Sequence, residues 1–123
     1  VTGVTFVAPP PGLEPLTRFD LERVAGADGL FTLRPVNVPD RRLFLLDAGA
    51  YLPDYHPELS DEQAAQLGVT DPEGIATFVV ANHQDGVTTV NLLAPILVNT
   101  ATDIGAQFIL EGQDLPIRSV LAV

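Results

Sequence analysis

The chain predicts a mainly β fold, a small antiparallel β-barrel or sandwich with one short helix near residues 60–67. Three observations carry this. Apolar and polar residues alternate with period two in several short runs, the spacing of half-buried strands. Turn signals built from Gly, Pro, Asn and Asp recur at intervals of about ten residues, the pattern of all-β sandwiches and barrels. Only the stretch opening at Ser60 has both the start signals and the apolar side of a helix. With 123 residues, of which 46% are hydrophobic, the whole of residues 1–123 is expected to form one domain around one core.

Taken in order, Val4 to Ala8 is a short β-branched run. It stops at Pro9-Pro10-Pro11-Gly12, which predicts a stiff corner, because proline supplies no N–H for helix or central strand. Arg18 to Val24 alternates Phe19 and Leu21 against Asp20 and Glu22, a strand. Ala25 to Gly29 is a turn and Leu30 to Val36 the returning strand, so the pair predicts a hairpin. Val38-Pro39-Asp40 turns the chain again, and the continuous apolar run Leu43 to Leu46 predicts a strand buried on both faces. Tyr51 to Leu59 holds two prolines and both tyrosines and is expected to be a loop. Ser60 is the expected N-cap of the helix, with Gln63 completing a Ser-x-x-Gln capping box. Asp61 and Glu62 suit the positive end of its dipole, Ala64, Ala65 and Leu67 give it an apolar side, and Gly68 ends it. Asp71 to Gly74 is a turn, Ile75 to Ala81 a strongly apolar strand, and Asn82 to Gly86 the next turn. Leu115-Pro116-Ile117-Arg118 begins a short closing segment.

The stretch Thr88 to Leu110 organises the rest. Val90, Leu92, Ala94, Ile96 and Val98 form one face of a ten-residue alternation; Asn91, Leu93, Pro95, Leu97 and Asn99 form the other. After a polar turn from Thr100 to Gly105, Ala106, Phe108 and Leu110 alternate with Gln107, Ile109 and Glu111, so a long hairpin is predicted. Pro95 cannot donate to a ladder and belongs at an edge or a bulge.

Composition narrows the function classes. The formal net charge is −10, and all six basic residues are Arg. Five of those Arg lie between Arg18 and Arg42, whereas Leu43 to Ile117 carries eleven acids and no basic residue. Such a chain repels phosphate backbones, so direct nucleic-acid binding is not expected, and it attracts basic partners. No apolar run approaches the roughly 20 residues that span a bilayer, and the apolar start has no basic segment before it, so neither a membrane span nor a signal peptide is expected. The absence of Cys removes disulfides and thiolate metal sites, in keeping with a cytoplasmic protein.

Chemistry-bearing constellations are sparse, and no catalytic, cofactor-binding or metal-binding residues are expected. His56 and His83 have no ligand spacing; His56 lies between Asp54 and Glu58, but two prolines break that stretch. Ser60 is accounted for as a cap and Ser119 lies in the closing segment, with no Gly-x-Ser-x-Gly around either. Asn91 and Asn99 are expected to make turn or cross-strand hydrogen bonds. A binding module is favoured. The alternatives are a small-ligand-binding β-barrel, which needs a deep apolar pocket, and a hydrolase using Asp54, His56 or Glu58.

Thr89-Val90-Asn91-Leu92-Leu93-Ala94-Pro95-Ile96-Leu97-Val98-Asn99 resembles the TVNLLAPIVIN signature of the flagellar assembly factor FliW family. Leu52-Pro53-Asp54-Tyr55, with Asp47 ahead of it, resembles the family's F/L-P-D-Y segment, Gln107 to Leu110 its Q-V-I-L strand, and Leu115 to Arg118 its Y-P-I-R ending. Gly12-Leu13 resembles its early F-P-x-G-L turn, here stretched by extra prolines, and the family's first strand is short or absent. The resemblance implies a compact, mostly antiparallel, barrel-like monomer that is not an enzyme. It implies binding to the RNA-binding translational regulator CsrA, relief of that regulator's repression of flagellin synthesis, and displacement by free flagellin. The expected partner surface joins the outer face of the central hairpin, with Asn91, Leu93, Pro95 and Leu97, to the loop bearing Asp54 and Tyr55. Pro95 would leave backbone groups free for a partner, Leu93 and Leu97 are apolar for a solvent face, and Tyr55 is a rigid anchor beside a charge.

Overall fold

The computed structural model describes every residue except Val1, Pro39, Glu111, Ala122 and Val123, and of Pro72 the backbone alone. The expected turn at Pro39 and the outward position of Glu111 lie outside the described residues. The strands are β1 (Thr2–Phe6), β2 (Arg18–Arg23), β3 (Leu30–Pro35), β4 (Leu43–Asp47), β5 (Ile75–Gln84), β6 (Val87–Val90), β7 (Ile96–Asn99), β8 (Ile104–Gln107) and β9 (Ser119–Val120). Two helices, α1 (Ala48–Tyr51) and α2 (Asp61–Leu67), lie between β4 and β5.

The sheet closes on itself. Its order runs β4-β3-β2-β1-β8-β7-β5, and β5 pairs back onto β4, giving a barrel of 7 strands. All these ladders are antiparallel except β1 with β8, which is parallel over Thr5–Phe6 and Ile104–Gly105. Closure removes the open edges that an antiparallel sheet otherwise presents. β6 and β9 extend from the long β5 as a flap.

Packing follows the pleat. Val4, Phe6, Phe19, Leu33, Leu45, Phe78, Ile96 and Val98 fill the barrel interior, with Phe6 edge-on to Phe19 at 5.1 Å and Phe31 edge-on to Phe78 at 5.2 Å. Gly105 sits where β1 and β8 meet, and a Cβ there would lie 2.9 Å from a Val4 methyl. Two smaller clusters lie outside the barrel. Leu46, Val79, Ala81 and Val90 are covered by Leu52, Tyr55 and Leu92. Leu97, Ala106 and Phe108 are covered by Leu67 of α2 with Leu59 and Val69.

α2 forms as expected. Ser60 Oγ accepts from Gln63 N at 3.1 Å, Gln63 Oε1 accepts from Ser60 N at 3.0 Å, and Gly68 closes the helix in the left-handed region at φ 69°. Several expectations change. The polar turn expected over Thr100–Gly105 gives way at Ile104 to β8, which ends at Gln107 instead of running on through Leu110. The loop expected at Tyr51 begins instead with Tyr51 closing the single turn α1, which Asp47 caps by accepting from Gly49 N at 3.0 Å. The turn expected over Asn82–Gly86 shrinks to Asp85-Gly86, both at positive φ (54° and 77°), the two-residue geometry that suits a twisted hairpin; Asn82, His83 and Gln84 belong to β5. In β4, Leu45 and Leu46 are buried on opposite faces, but Phe44 is 37% exposed. The ten-residue central strand is two strands, β6 and β7, separated by residues 91–95.

Candidate functional site

The break between β6 and β7 is a large bulge. β5 pairs Ala81 with Val90 and Phe78 with Ile96, so five residues, Asn91 to Pro95, face only Val79 and Val80. A segment of this kind exposes peptide groups that must find partners or remain unsatisfied.

Here they find partners within the chain. Asn91 N donates to Val80 O at 3.0 Å. Asn91 Oδ1 accepts from both Leu93 N and Ala94 N at 3.1 Å, an Asx-type turn that sets the bulge's shape. Leu92 N donates to Pro116 O at 3.0 Å. Leu93 O accepts from Leu110 N at 2.7 Å and Pro95 O from Phe108 N at 3.2 Å. Ala94 O accepts from the Gln107 side-chain amide at 3.1 Å. The Tyr55 hydroxyl donates to Leu92 O at 2.6 Å. This last bond ties the Pro-Asp-Tyr loop to the bulge, so the two halves of the expected partner surface are one assembly.

Each expected surface residue now has a place. Asp54 is exposed on the loop, and Tyr55, Asn91 and Leu93 are partly exposed around the bulge. Pro95 and Leu97 are buried, and this corrects the expectation that they face a partner. Leu97 is only 2% exposed because α2 covers that side of β7. Pro95 does interrupt the ladder, but it does not free backbone acceptors, since neighbouring strands and side chains take them up. The expected turn bonding of both asparagines is present. Asn99 Nδ2 donates to Leu67 O at 2.9 Å, capping the carbonyl end of α2, and its Oδ1 accepts from Ala101 N at 3.0 Å.

Gln107, Ile109 and Ile117 join the expected residues at this surface. Gln107 braces the bulge, while Ile109 and Ile117 are 53% and 61% exposed. With Asn91 and Leu93 they line a shallow, mainly apolar groove of about 340 Å³. The available signal was an isoleucine on the polar side of an alternation, which is weak because exposed single apolar residues are common. A larger cleft of about 660 Å³ lies under the loop, between Asp47, Leu52, Tyr55, His56 and Ile75. Asp54, His56 and Glu58 are each exposed, and among the described residues no group of three His, Asp or Glu is placed to hold a metal. The barrel interior is packed by side chains.

Burial pushes the Tyr55 hydroxyl up to about 12. The neutral phenol is the form that donates to Leu92 O, and an unfolded tyrosine ionises near 10. The raised value therefore contributes stability that is complete below about pH 10 and is lost as pH climbs through about 12. Urea titrations should show the parent losing about 1–2 kcal/mol more than Tyr55→Phe between those limits, partial exposure holding the effect below the full linkage value. Parallel loss in both proteins would mean that Tyr55 does not carry the alkaline sensitivity.

Fold and bulge together define a small closed-barrel protein whose distinctive features lie on its surface. A sequence profile described as FliW protein matches residues 2–121, and the chain belongs to the FliW family. It is 37% identical over 84 residues to the flagellar assembly factor FliW of Desulfitobacterium hafniense strain Y51. That match takes in 67% of this chain and 55% of the relative, so the chain spans about half the length of that protein. It is 31% identical to the flagellar assembly factor FliW of Thermosipho africanus, over 97% of this chain and 84% of the relative. A crystal structure of the flagellar assembly factor FliW superposes with a TM-score of 0.91 at 28% identity, covering 98% of this chain and 86% of that one. The family is one of regulatory and assembly factors. Among the described residues no helix is long and apolar enough to cross a membrane.

Proposed function

We propose that this protein binds and antagonises a CsrA-type RNA-binding translational regulator, relieving repression of flagellin synthesis, and that flagellin binding releases it from the regulator. In this reading it is a cytoplasmic, monomeric sensor of unassembled flagellin, not an enzyme, and it does not contact nucleic acid itself. The observation that carries the reading is membership of the FliW family over residues 2–121. Charge supports it independently: a regulator that holds RNA must be basic, and residues 43–117 offer it acids alone.

The proposed contact surface is the exposed rim of the bulge assembly: Asp54, Tyr55, Asn91 and Leu93, flanked by Ile109 and Ile117. Its apolar groove can take an anchor side chain and Asp54 a basic one. Pro95 and Leu97 act beneath it, through the fold. Release by flagellin is a coupling of two binding equilibria, so each partner weakens the other by the same factor.

Calorimetry against the cognate regulator tests this. Binding should be measurable at micromolar concentrations, weaken with added salt, and vanish when flagellin is present in excess. Asp54→Arg, at an exposed site, should leave the melting temperature unchanged and cost about 1–3 kcal/mol of binding. Absence of heat at tens of micromolar, or a ternary complex stable on size exclusion, would contradict the proposal.

A further inference from the structure

Barrel closure does not reach the far end of the sheet. β9 is the last strand in the order, paired with β6 through Val120 with Thr89 and Ser119 with Val90. In an antiparallel ladder, residues that exchange hydrogen bonds alternate with residues whose peptide groups point to the other side. Leu121 N donates to Thr88 O at 2.9 Å, which fixes the alternation: Ser119 and Leu121 bond to β6, and the N–H and C=O of Val120 point away from it. The opposite side of β6 agrees. Asn91 N donates to Val80 O at 3.0 Å, so Asn91 and Thr89 bond to β5 and leave Val90 and Thr88 for β9. Among the described residues nothing takes up the outward peptide groups of Val120. Its side chain is 68% exposed, the most of any large apolar residue described. A free row of N–H and C=O groups on a sheet edge is a template for another strand.

The two faces beside this edge differ. On the side of Ser119 and Leu121 lies an apolar groove of about 430 Å³, lined mainly by Leu30, Phe44, Leu46, Tyr51, Ala81 and Leu121. The Tyr51 ring is held there by donation from its hydroxyl to Asp28 O at 2.7 Å. On the side of Val120, Asn82, Gln84 and Thr89 make the flap polar. Asp85 and Arg118 balance each other on that side, so the field of the whole chain, with a net charge of −10, sets the sign.

We propose that β9 is an augmentation edge, separate from the bulge rim and independent of the function proposed above, and that its occupant is an extended segment of another protein, apolar at alternate positions and basic between them. The segment adds as a further antiparallel strand. Its residue opposite Val120 exchanges two hydrogen bonds with the outward N–H and C=O and shares the polar face, where a basic side chain is favoured. The residues on either side of it point the other way, into the apolar groove. A second copy of this chain fits less well, because two bodies of this charge repel.

Fluorescence anisotropy on the full chain tests this, with a labelled peptide of about eight residues that alternates valine and lysine. It should bind, and a counterpart with glutamate in place of lysine should bind about tenfold more weakly or worse. N-methylation of the lysine amides should abolish binding, whereas N-methylation of the valine amides should be tolerated, because only the lysine amides face β9. Val120→Pro removes an N–H that no ladder bond uses, so it should melt like the parent and lose about tenfold or more in peptide affinity. Val120→Ala keeps that N–H and should lose much less. Equal affinity of the two N-methylated peptides, equal affinity of the lysine and glutamate peptides, no binding at millimolar concentration, or a folded Val120→Pro that binds as the parent does would overturn the proposal. So would a dimer of the parent that Val120→Pro dissolves, since a second copy would then be the occupant.

Discussion

Leu97→Asp is expected to unfold the protein. Leu97 is 2% exposed on the side of β7 that faces α2, packed with Leu67, Ala106 and Phe108. A carboxylate there has no charged or hydrogen-bonding partner in its cluster, so it must be buried at high cost or the helix must lift away. Deleting a buried leucine side chain alone costs about 2–5 kcal/mol, and burying an unpaired polar group adds to that. The sum rivals the whole stability of a small domain, about 5–15 kcal/mol. Circular dichroism and urea titration at neutral pH check this, with Leu97→Ala as companion. Leu97→Ala should fold with a loss of about 2–4 kcal/mol. A folded Leu97→Asp with a midpoint near the parent's would mean that α2 moves off the barrel at little cost, and that the site is accessible after all.

Leu97 also marks where sequence reading stops. Period two separates the two faces of a strand, but it does not say whether one or both are covered. All four residues of β7 are buried, because α2 supplies a second layer outside the barrel. The clue was present as two halves: an apolar side on a seven-residue helix that is too short to stand alone, and an apolar outer face on the central strand. Matching them needed the tertiary path of residues 52–75, which no local pattern encodes. Features set by near neighbours were legible: the Ser60–Gln63 box, the hairpin of β2 and β3, and the turn bonding of Asn91. The bond from Tyr55 to Leu92 spans 37 positions and was not. Nor was the parallel ladder that joins β1 to β8 and completes the barrel.

Asn91→Ala carries the other large effect, and it tests the bulge itself. The Asn91 side-chain oxygen Oδ1 accepts from both Leu93 N and Ala94 N, two partly buried donors. Removing it strands both, at about 1–3 kcal/mol for each donor that stays buried, so a loss of about 2–4 kcal/mol is expected. Asn91→Asp keeps an acceptor at the same reach and should recover most of that loss at neutral pH. Tyr55→Phe perturbs the same five-residue segment from the loop side by removing the donor to Leu92 O. The double variant Asn91→Ala/Tyr55→Phe should therefore cost less than the two single losses added together, by about 0.5–1 kcal/mol, since a bulge already loosened no longer holds Leu92 O against the hydroxyl. Urea titration of the four proteins gives the coupling directly. Strict additivity, or an Asn91→Asp as unstable as Asn91→Ala, would show that packing, not these acceptors, shapes the bulge. Regulator binding measured on the same set separates shape from stability: at temperatures where all remain folded, Asn91→Ala should bind more weakly than Asn91→Asp, because the rim formed by Asp54, Tyr55 and Leu93 depends on where the bulge holds them.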